Sequence, residues 1–251
     1  RMKTKYNKTQ LDVYKTLDKN ISHRDYFAHL LRWQHVLKIA KLHWKILDFG
    51  CGDGGLFETF YRNQYGPKRY LGLDIRSKTI ENSKEKFKNT KAEFQAADLC
   101  NPSLDFGKDW DIICSFEVAE HISRSRVPIF LDNIKKHCNK ETIILISTPI
   151  YDEKVGAADN HTYDGNDGYG IRRQEMTFDE FKNLLEKDFI IEKTYATFAS
   201  IKDYKNTLND WQLKMFNSLN EYYDVNLLSV IMAPIIDPKL GRNCIWRLKI
   251  K

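Results

Sequence analysis

At 251 residues, with 42% hydrophobic and 29% charged side chains, the chain is long enough for one large α/β domain and short for two independent cores. It has no run of 18 or more apolar residues to span a bilayer. Its five cysteines (51, 100, 114, 138 and 244) are scattered without C-x-x-C, which argues against a disulfide framework or a thiolate zinc site and for a cytoplasmic location.

The net charge of +6 is concentrated at the front. Residues 1–45 hold 11 Lys and Arg against 3 Asp and Glu, and the remainder holds 29 against 31. A basic N-terminal arm of this kind either follows a phosphate backbone, such as RNA, or forms a solvated helix face. The opening RMKTKYNKTQLDVYKTL has no apolar segment or small-residue cleavage site, so secretion is not expected. Residues 9–43 read as helices. ISHRDYFAHLLRWQHVLKIAKL places Tyr26, Leu30, Trp33, Leu37 and Ile39 or Ala40 on one stripe, with Ser22 as N-cap. Residues 1–44 are therefore expected to form a helical cover over a domain of residues 45–251.

KILDFG (45–50) is an apolar strand ending in glycine, and a helix follows from about Gly54 to Gln64. The alternation continues with RYLGLDI (69–75), SKTIENSKEKFKN (77–89), AEFQAAD (92–98), DWDIICSF (109–116), a helix over about 126–138 and TIILIST (142–148). Strands alternating with helices predict a parallel, doubly wound α/β sheet with right-handed crossovers. Residues 151–172 lack periodicity and carry four of the 12 glycines, as expected of a lid loop. TFDEFKNLLEKD follows as a helix with a Thr cap, and FIIEKTYATFAS as a strand. Residues 202–243 are an elaboration, helical over 203–223 with Trp211, Leu213 or Lys214, Leu219 and Tyr222 as packing positions. NCIWRLKI closes the chain as a β-rich run.

Chemistry concentrates at strand ends. In ILDFGCGDGG (46–55) the glycines let the backbone approach a ligand where a Cβ would collide, and the following helix offers free N–H groups. The spacing does not fit the dinucleotide fingerprint G-x-G-x-x-G, and no G-K-[ST] follows to make a P-loop. Asp74, at the end of the second strand, is placed to accept ribose hydroxyls, and Asp98, after the third, an adenine amino group.

Over residues 22–200 these motifs resemble the class I S-adenosylmethionine-dependent methyltransferases. ILDFGCGDGG looks like their first motif, LGLDI the second, AADL the third and DIICSFEVAEHI the fourth. The resemblance implies a Rossmann-like, seven-stranded sheet that is mostly parallel with an antiparallel last strand. It also implies S-adenosylmethionine bound between Gly50, Cys51 and Gly52, Asp74 with Ile75, and Asp98 with Leu99. Asp48 would support the glycine loop, Phe116 and Glu117 would lie near the methionine end, and Arg32 would offer a cation to the cofactor carboxylate.

FEVAEHI (116–122) carries Glu117, Glu120 and His121 at i, i+3 and i+4, which on a helix would share one face. One reading is a Mg²⁺, Mn²⁺ or Zn²⁺ site completed by His161 of DNHTYD, the metal activating a substrate hydroxyl. Similar E-x-x-E-H clusters occur in ubiquinone-pathway O-methyltransferases and in enzymes that 2′-O-methylate the 3′ ends of small RNAs. The latter also share a later histidine before an aromatic and an acidic residue, as in His161, Tyr163 and Asp164, although GNDGYGIRRQE intervenes before the next helix. The other reading has no metal: Glu117 and Glu120 position the turn and cofactor, and His121 is the general base. DGNDGYG (164–170) lacks calcium-loop spacing. The sequence thus predicts methyl transfer to an oxygen or nitrogen of a small molecule, with metal-dependent RNA methylation and a non-catalytic cofactor-binding subunit as alternatives.

Overall fold

The short aliphatic runs form strands β1 (Lys45–Phe49), β2 (Arg69–Asp74), β3 (Ala92–Ala96), β4 (Ile112–Phe116), β5 (Ile143–Pro149), β6 (Phe189–Ala199) and β7 (Gly241–Ile250). The structure is a computed structural model and describes residues 24–64, 66–152, 175–199 and 201–251. The strands make one sheet in the order β3-β2-β1-β4-β5-β7-β6. β1 to β5 pair in parallel, and β7 inserts antiparallel between β5 and β6. This is the Rossmann-like arrangement expected, with the antiparallel last strand in place.

Because side chains alternate across a strand, adjacent residues feed opposite cores. Leu47, Ile113, Ile146 and Trp246 join one face of the sheet. Their neighbours Ile46, Ile112, Leu145 and Ile245 join the other. Strands buried on both sides read as unbroken apolar runs, and all five residues of β4 are buried.

The helices are α1 (Arg24–Ile39), α2 (Gly55–Arg62), α3 (Ser77–Lys86), α4 (Val127–Lys136), α5 (Phe178–Leu185), α6 (Ile201–Tyr204), α7 (Asp210–Asn220) and α8 (Val225–Ile231). The buried stripe of α1 is rotated from the one expected. Ala28, Arg32 and Val36 are its centre, while Leu30, Trp33 and Leu37 flank it half-buried. Trp33 packs against Gly55, where an added Cβ would lie 2.6 Å from the indole ring. Ser22, the Tyr26 side chain and the basic segment before Arg24 lie outside the described residues.

Thr177 caps α5 in a reciprocal capping box with Glu180, as the sequence predicts. The helix expected over 203–223 is instead broken. α6 and a 3₁₀ turn (Lys205–Thr207) precede a fresh start at Asn209, which caps α7 through a second capping box with Gln212. The restart resets the helical phase, so Phe216 is the buried anchor. Trp211 and Tyr222, expected to pack, are 53% and 78% exposed.

The expected lid falls mostly outside the described residues, at 153–174. Its flanks meet at the end of β5, where Ile150 bridges Met176 and the Tyr151 N–H donates to the Met176 carbonyl at 2.9 Å.

Candidate active site

Parallel strands release their loops at one edge of the sheet, and a cleft lies there. It encloses about 570 Å³ between the β1–α2 loop, the start of α3, the end of β4 and α1. The loop wraps the tip of β2. The N–H groups of Gly50 and Cys51 both donate to the Leu73 carbonyl, at 2.7 and 2.8 Å, and the Gly52 N–H donates to Asp74 Oδ2 at 3.1 Å. Gly50 has φ +86°, and a Cβ there would lie 2.2 Å from Val118 Cγ2. Both conformation and space therefore require glycine.

Asp48, fully buried beneath the loop, accepts from the Tyr70 hydroxyl at 2.5 Å. Burial pushes its carboxyl up to about 7; the Tyr70 bond opposes that rise and the Asp74 charge adds to it. The Cys51 thiol is pushed up by burial and by neighbouring carboxylates, so it stays protonated.

Asp74 is nearly buried at the strand tip. Besides Gly52 it accepts from the Arg76 backbone N–H at 3.0 Å and from the Arg76 guanidinium at 3.0 and 3.2 Å. Ile75 beside it is exposed. Asp98 accepts from the Cys100 N–H at 2.9 Å and from Arg126 at 2.8 Å. Leu99 is buried and its carbonyl accepts from Asn133. Neither Asp98 nor Leu99 lines the cleft.

FEVAEHI does not form the helical face that its spacing suggests. β4 ends at Phe116, Glu117 turns with φ +58°, and Ala119–His121 make a single 3₁₀ turn. Phe116, Glu117 and His121 line the cleft, while Glu120 turns inward and is 1% exposed. A left-handed non-glycine residue is a strained conformation that its surroundings must hold. Here the Glu117 N–H donates to the Ser147 carbonyl at 3.0 Å. The Ser147 hydroxyl donates to Oε1 at 2.8 Å, Asn243 Nδ2 donates to Oε2 at 2.7 Å, and Arg32 Nη1 lies 3.4 Å from Oε1.

Both Glu117 oxygens are thus engaged, and His121 Nε2 is 3.8 Å from Glu120 Oε1. Among the described residues no three His, Cys, Asp or Glu side chains form a group able to hold a metal ion. The expected fourth ligand, His161, lies outside the described residues. The described members of the E-x-x-E-H set therefore do not fit a metal centre as they stand, because Glu117 is held by Ser147 and Asn243 and Glu120 is buried out of the cleft.

Arg32 is 2% exposed, and its Nε and Nη1 have no hydrogen-bond partner among the described residues. A buried guanidinium with unsatisfied donors suits a bound anion. Its Nη2 lies 3.0 Å from His29 Nδ1. Burial, reinforced by Arg32, pushes His29 down to about 3, so this imidazole is neutral. His29 and Trp33, 5.5 Å apart and stacked, form the α1 wall of the cleft. The sequence signal for them was an arginine among the apolar positions of a helix, with His and Trp at its i−3 and i+1 positions. For Arg76, Ser147 and Asn243 no local signal exists.

A methyltransferase-domain family model matches residues 20–193. The chain belongs to that family, the class I S-adenosylmethionine-dependent methyltransferases. No curated protein sequence matches it. Among solved structures it is similar to the TehB-like methyltransferase of Corynebacterium glutamicum, at TM-score 0.55 and 16% identity over 88% of each chain. A chain from the complex of the Haloferax volcanii Trm112 methyltransferase activator with the putative methyltransferase gives TM-score 0.58 and 15% identity, over 96% of this chain and 95% of that one. The methyltransferase domain of bacterial CtHen1-CN gives 0.53 and 16%, over 88% and 99%. At such identities the likeness is one of fold. No helix among the described residues is long and apolar enough to cross a membrane.

Proposed function

We propose that the protein transfers the methyl group of S-adenosylmethionine to an oxygen or nitrogen of a small-molecule acceptor, with His121 taking the proton that the acceptor loses. The observation that carries this reading is the division of labour at the end of β4. Glu117 is committed to Ser147, Asn243 and Arg32, whereas the His121 side chain is 48% exposed at the cleft. The second imidazole of the cleft, His29, is too weak a base at neutral pH.

The cofactor supplies an electrophilic methyl group, and the chain's part is alignment and proton removal. In this reading Arg32 holds the cofactor carboxylate and the Gly50–Gly52 backbone lies along the methionine. Asp74 and Ile75 meet the ribose, with Arg76 giving up its bonds to Asp74. Asp98 and Leu99 meet the adenine, with Arg126 giving way. Phe116 packs near the sulfonium. Support comes from the unsatisfied donors of Arg32 and from the Gly50–Gly52 backbone lining the cleft.

The second reading, metal-dependent 2′-O-methylation of RNA, keeps its support in the E-x-x-E-H sequence followed by His161. It requires a metal to compete with Ser147 or Asn243 for a Glu117 oxygen. One experiment separates the two. Formation of S-adenosylhomocysteine by chelator-treated protein is followed with phenol, catechol and amine acceptors and with short RNA. His121→Ala should lower kcat about 10²- to 10⁴-fold and leave calorimetric cofactor affinity unchanged. Turnover equal to wild type would remove His121 as the base, and activity on RNA restored only by Mn²⁺ would select the second reading.

A further inference from the structure

We propose that the groove between α1 and the β6–β7 pair binds a phosphate-bearing organic anion, at a site separate from the cofactor cleft. The groove encloses about 470 Å³, a small-ligand size, and shares no lining residue with the cleft. α1 contributes to both, with His29 and Trp33 on one side and Leu31, His35 and Lys38 on the other.

The sheet register makes the argument. Lys193 of β6 stands directly opposite Arg247 of β7, and like charges in that position destabilise an antiparallel pair. A bulge creates the juxtaposition: the register steps from Ile191 to Lys193, so Glu192 is the extra residue and the lysine takes the place opposite the arginine. Bulges re-aim side chains in this way.

Lys38, in the last turn of α1, adds a third cation to the groove wall. Against the three, among the described residues, stands the Glu192 carboxylate, which accepts from Arg247 Nε at 2.9 Å. Lys38 is in part explained by the helix C-terminus, where cations are favourable. Lys193 has only the Tyr195 ring, 5.4 Å away, and no acidic partner among the described residues.

Between the cations, the Tyr195 hydroxyl is hydrogen-bonded to His35 Nε2. His35, Lys38, Lys193 and Arg247 line the same groove, and burial, followed by Arg247, Lys193 and Lys38, pushes His35 down to about 4. Leu31, Ile39, Pro234 and Ile245 give the groove an apolar wall, beside which lie the polar Gln34 and Thr197. Convergent ammonium and guanidinium groups recognise phosphate, and the apolar wall suits a carbon body attached to it.

The test is calorimetric titration of the whole protein with inorganic phosphate, phenyl phosphate and a short single-stranded RNA, with and without saturating S-adenosylhomocysteine. A small phosphoester as natural ligand predicts phenyl phosphate tighter than inorganic phosphate and RNA no tighter than either. RNA as the phosphate source predicts the oligonucleotide tightest, with affinity falling steeply with salt. In both cases Lys193→Gln should weaken binding about tenfold or more while S-adenosylmethionine affinity is unchanged, and that variant should lose the phosphate-induced rise in Tm. Three results would each overturn the site: no saturable binding of any probe, equal binding by Lys193→Gln, or loss of binding when S-adenosylhomocysteine is present.

Discussion

Asp74 and Glu117 both stand at the carboxyl ends of parallel strands, and both accept from several donors, but the donors come from different distances along the chain. Asp74 is held by Gly52, 22 residues away, and by Arg76, two residues away. Glu117 is held by Ser147 and Asn243, 30 and 126 residues away, and by Arg32 on α1. The first strand end is built from one β-loop-α-β unit and is complete when that unit folds. The second is complete only when α1, β5 and β7 have assembled around it, and its left-handed backbone at Glu117 depends on that assembly. The β1–β2 side of the cleft is thus locally encoded, and the side nearer His121 is a product of the whole sheet.

The local side is broken most strongly through Asp48. Its folded value of about 7 lies above the roughly 3.9 of an unfolded aspartate. The folded chain therefore holds the extra proton between those values, and stability falls as pH rises through that window. At about 1.4 kcal/mol per pH unit the loss approaches about 4 kcal/mol. In urea unfolding the wild-type stability, taken relative to Asp48→Asn, should decline steadily from pH 4.5 to 7.5. A constant difference would mean that Asp48 titrates as an ordinary carboxylate. Gly50→Ala should cost about 3 kcal/mol, from left-handed strain and from the Val118 contact at 2.2 Å. Adding Val118→Ala should recover the contact and leave the strain. Full recovery would show that φ at Gly50 is of no consequence.

The same division explains what could be read from the chain alone. β1, β2, β4 and the glycine loop are legible because apolar runs, glycines and strand-end acids lie within one contiguous unit. The capping box at Thr177 is likewise local. FEVAEHI misleads because its i, i+3, i+4 spacing presumes a helix, while the backbone after a buried strand turns at Glu117 and sends Glu120 inward. The α1 stripe is misjudged for a related reason: Arg32 counts as polar in any periodicity, yet it is buried beside Glu117, a partner that only the fold supplies. Asn243 sits in a β-rich run whose sequence says nothing of a carboxylate at the far end of β4. In α7 the restart at Asn209 shifts the phase, which a single helix drawn over 203–223 conceals.

The long-range side is tested by the smallest effect, the pairing of Arg32 with Glu117. Glu117→Gln removes the counter-charge 3.4 Å from a guanidinium that is 2% exposed, and it sets an amide N–H₂ against either Ser147 or Asn243. Removing one partner of a buried pair is costly because the other is left uncompensated. Glu117 retains some exposure, so about 2 kcal/mol is expected from chemical denaturation. Arg32→Met alone should also destabilise, because it leaves the carboxylate without its cation. If the pair helps to hold the turn, the double variant should cost less than the sum of the two, by about 1 kcal/mol. Strict additivity would mean that the Arg32 contact contributes nothing to the left-handed turn, which Ser147 and Asn243 would then hold.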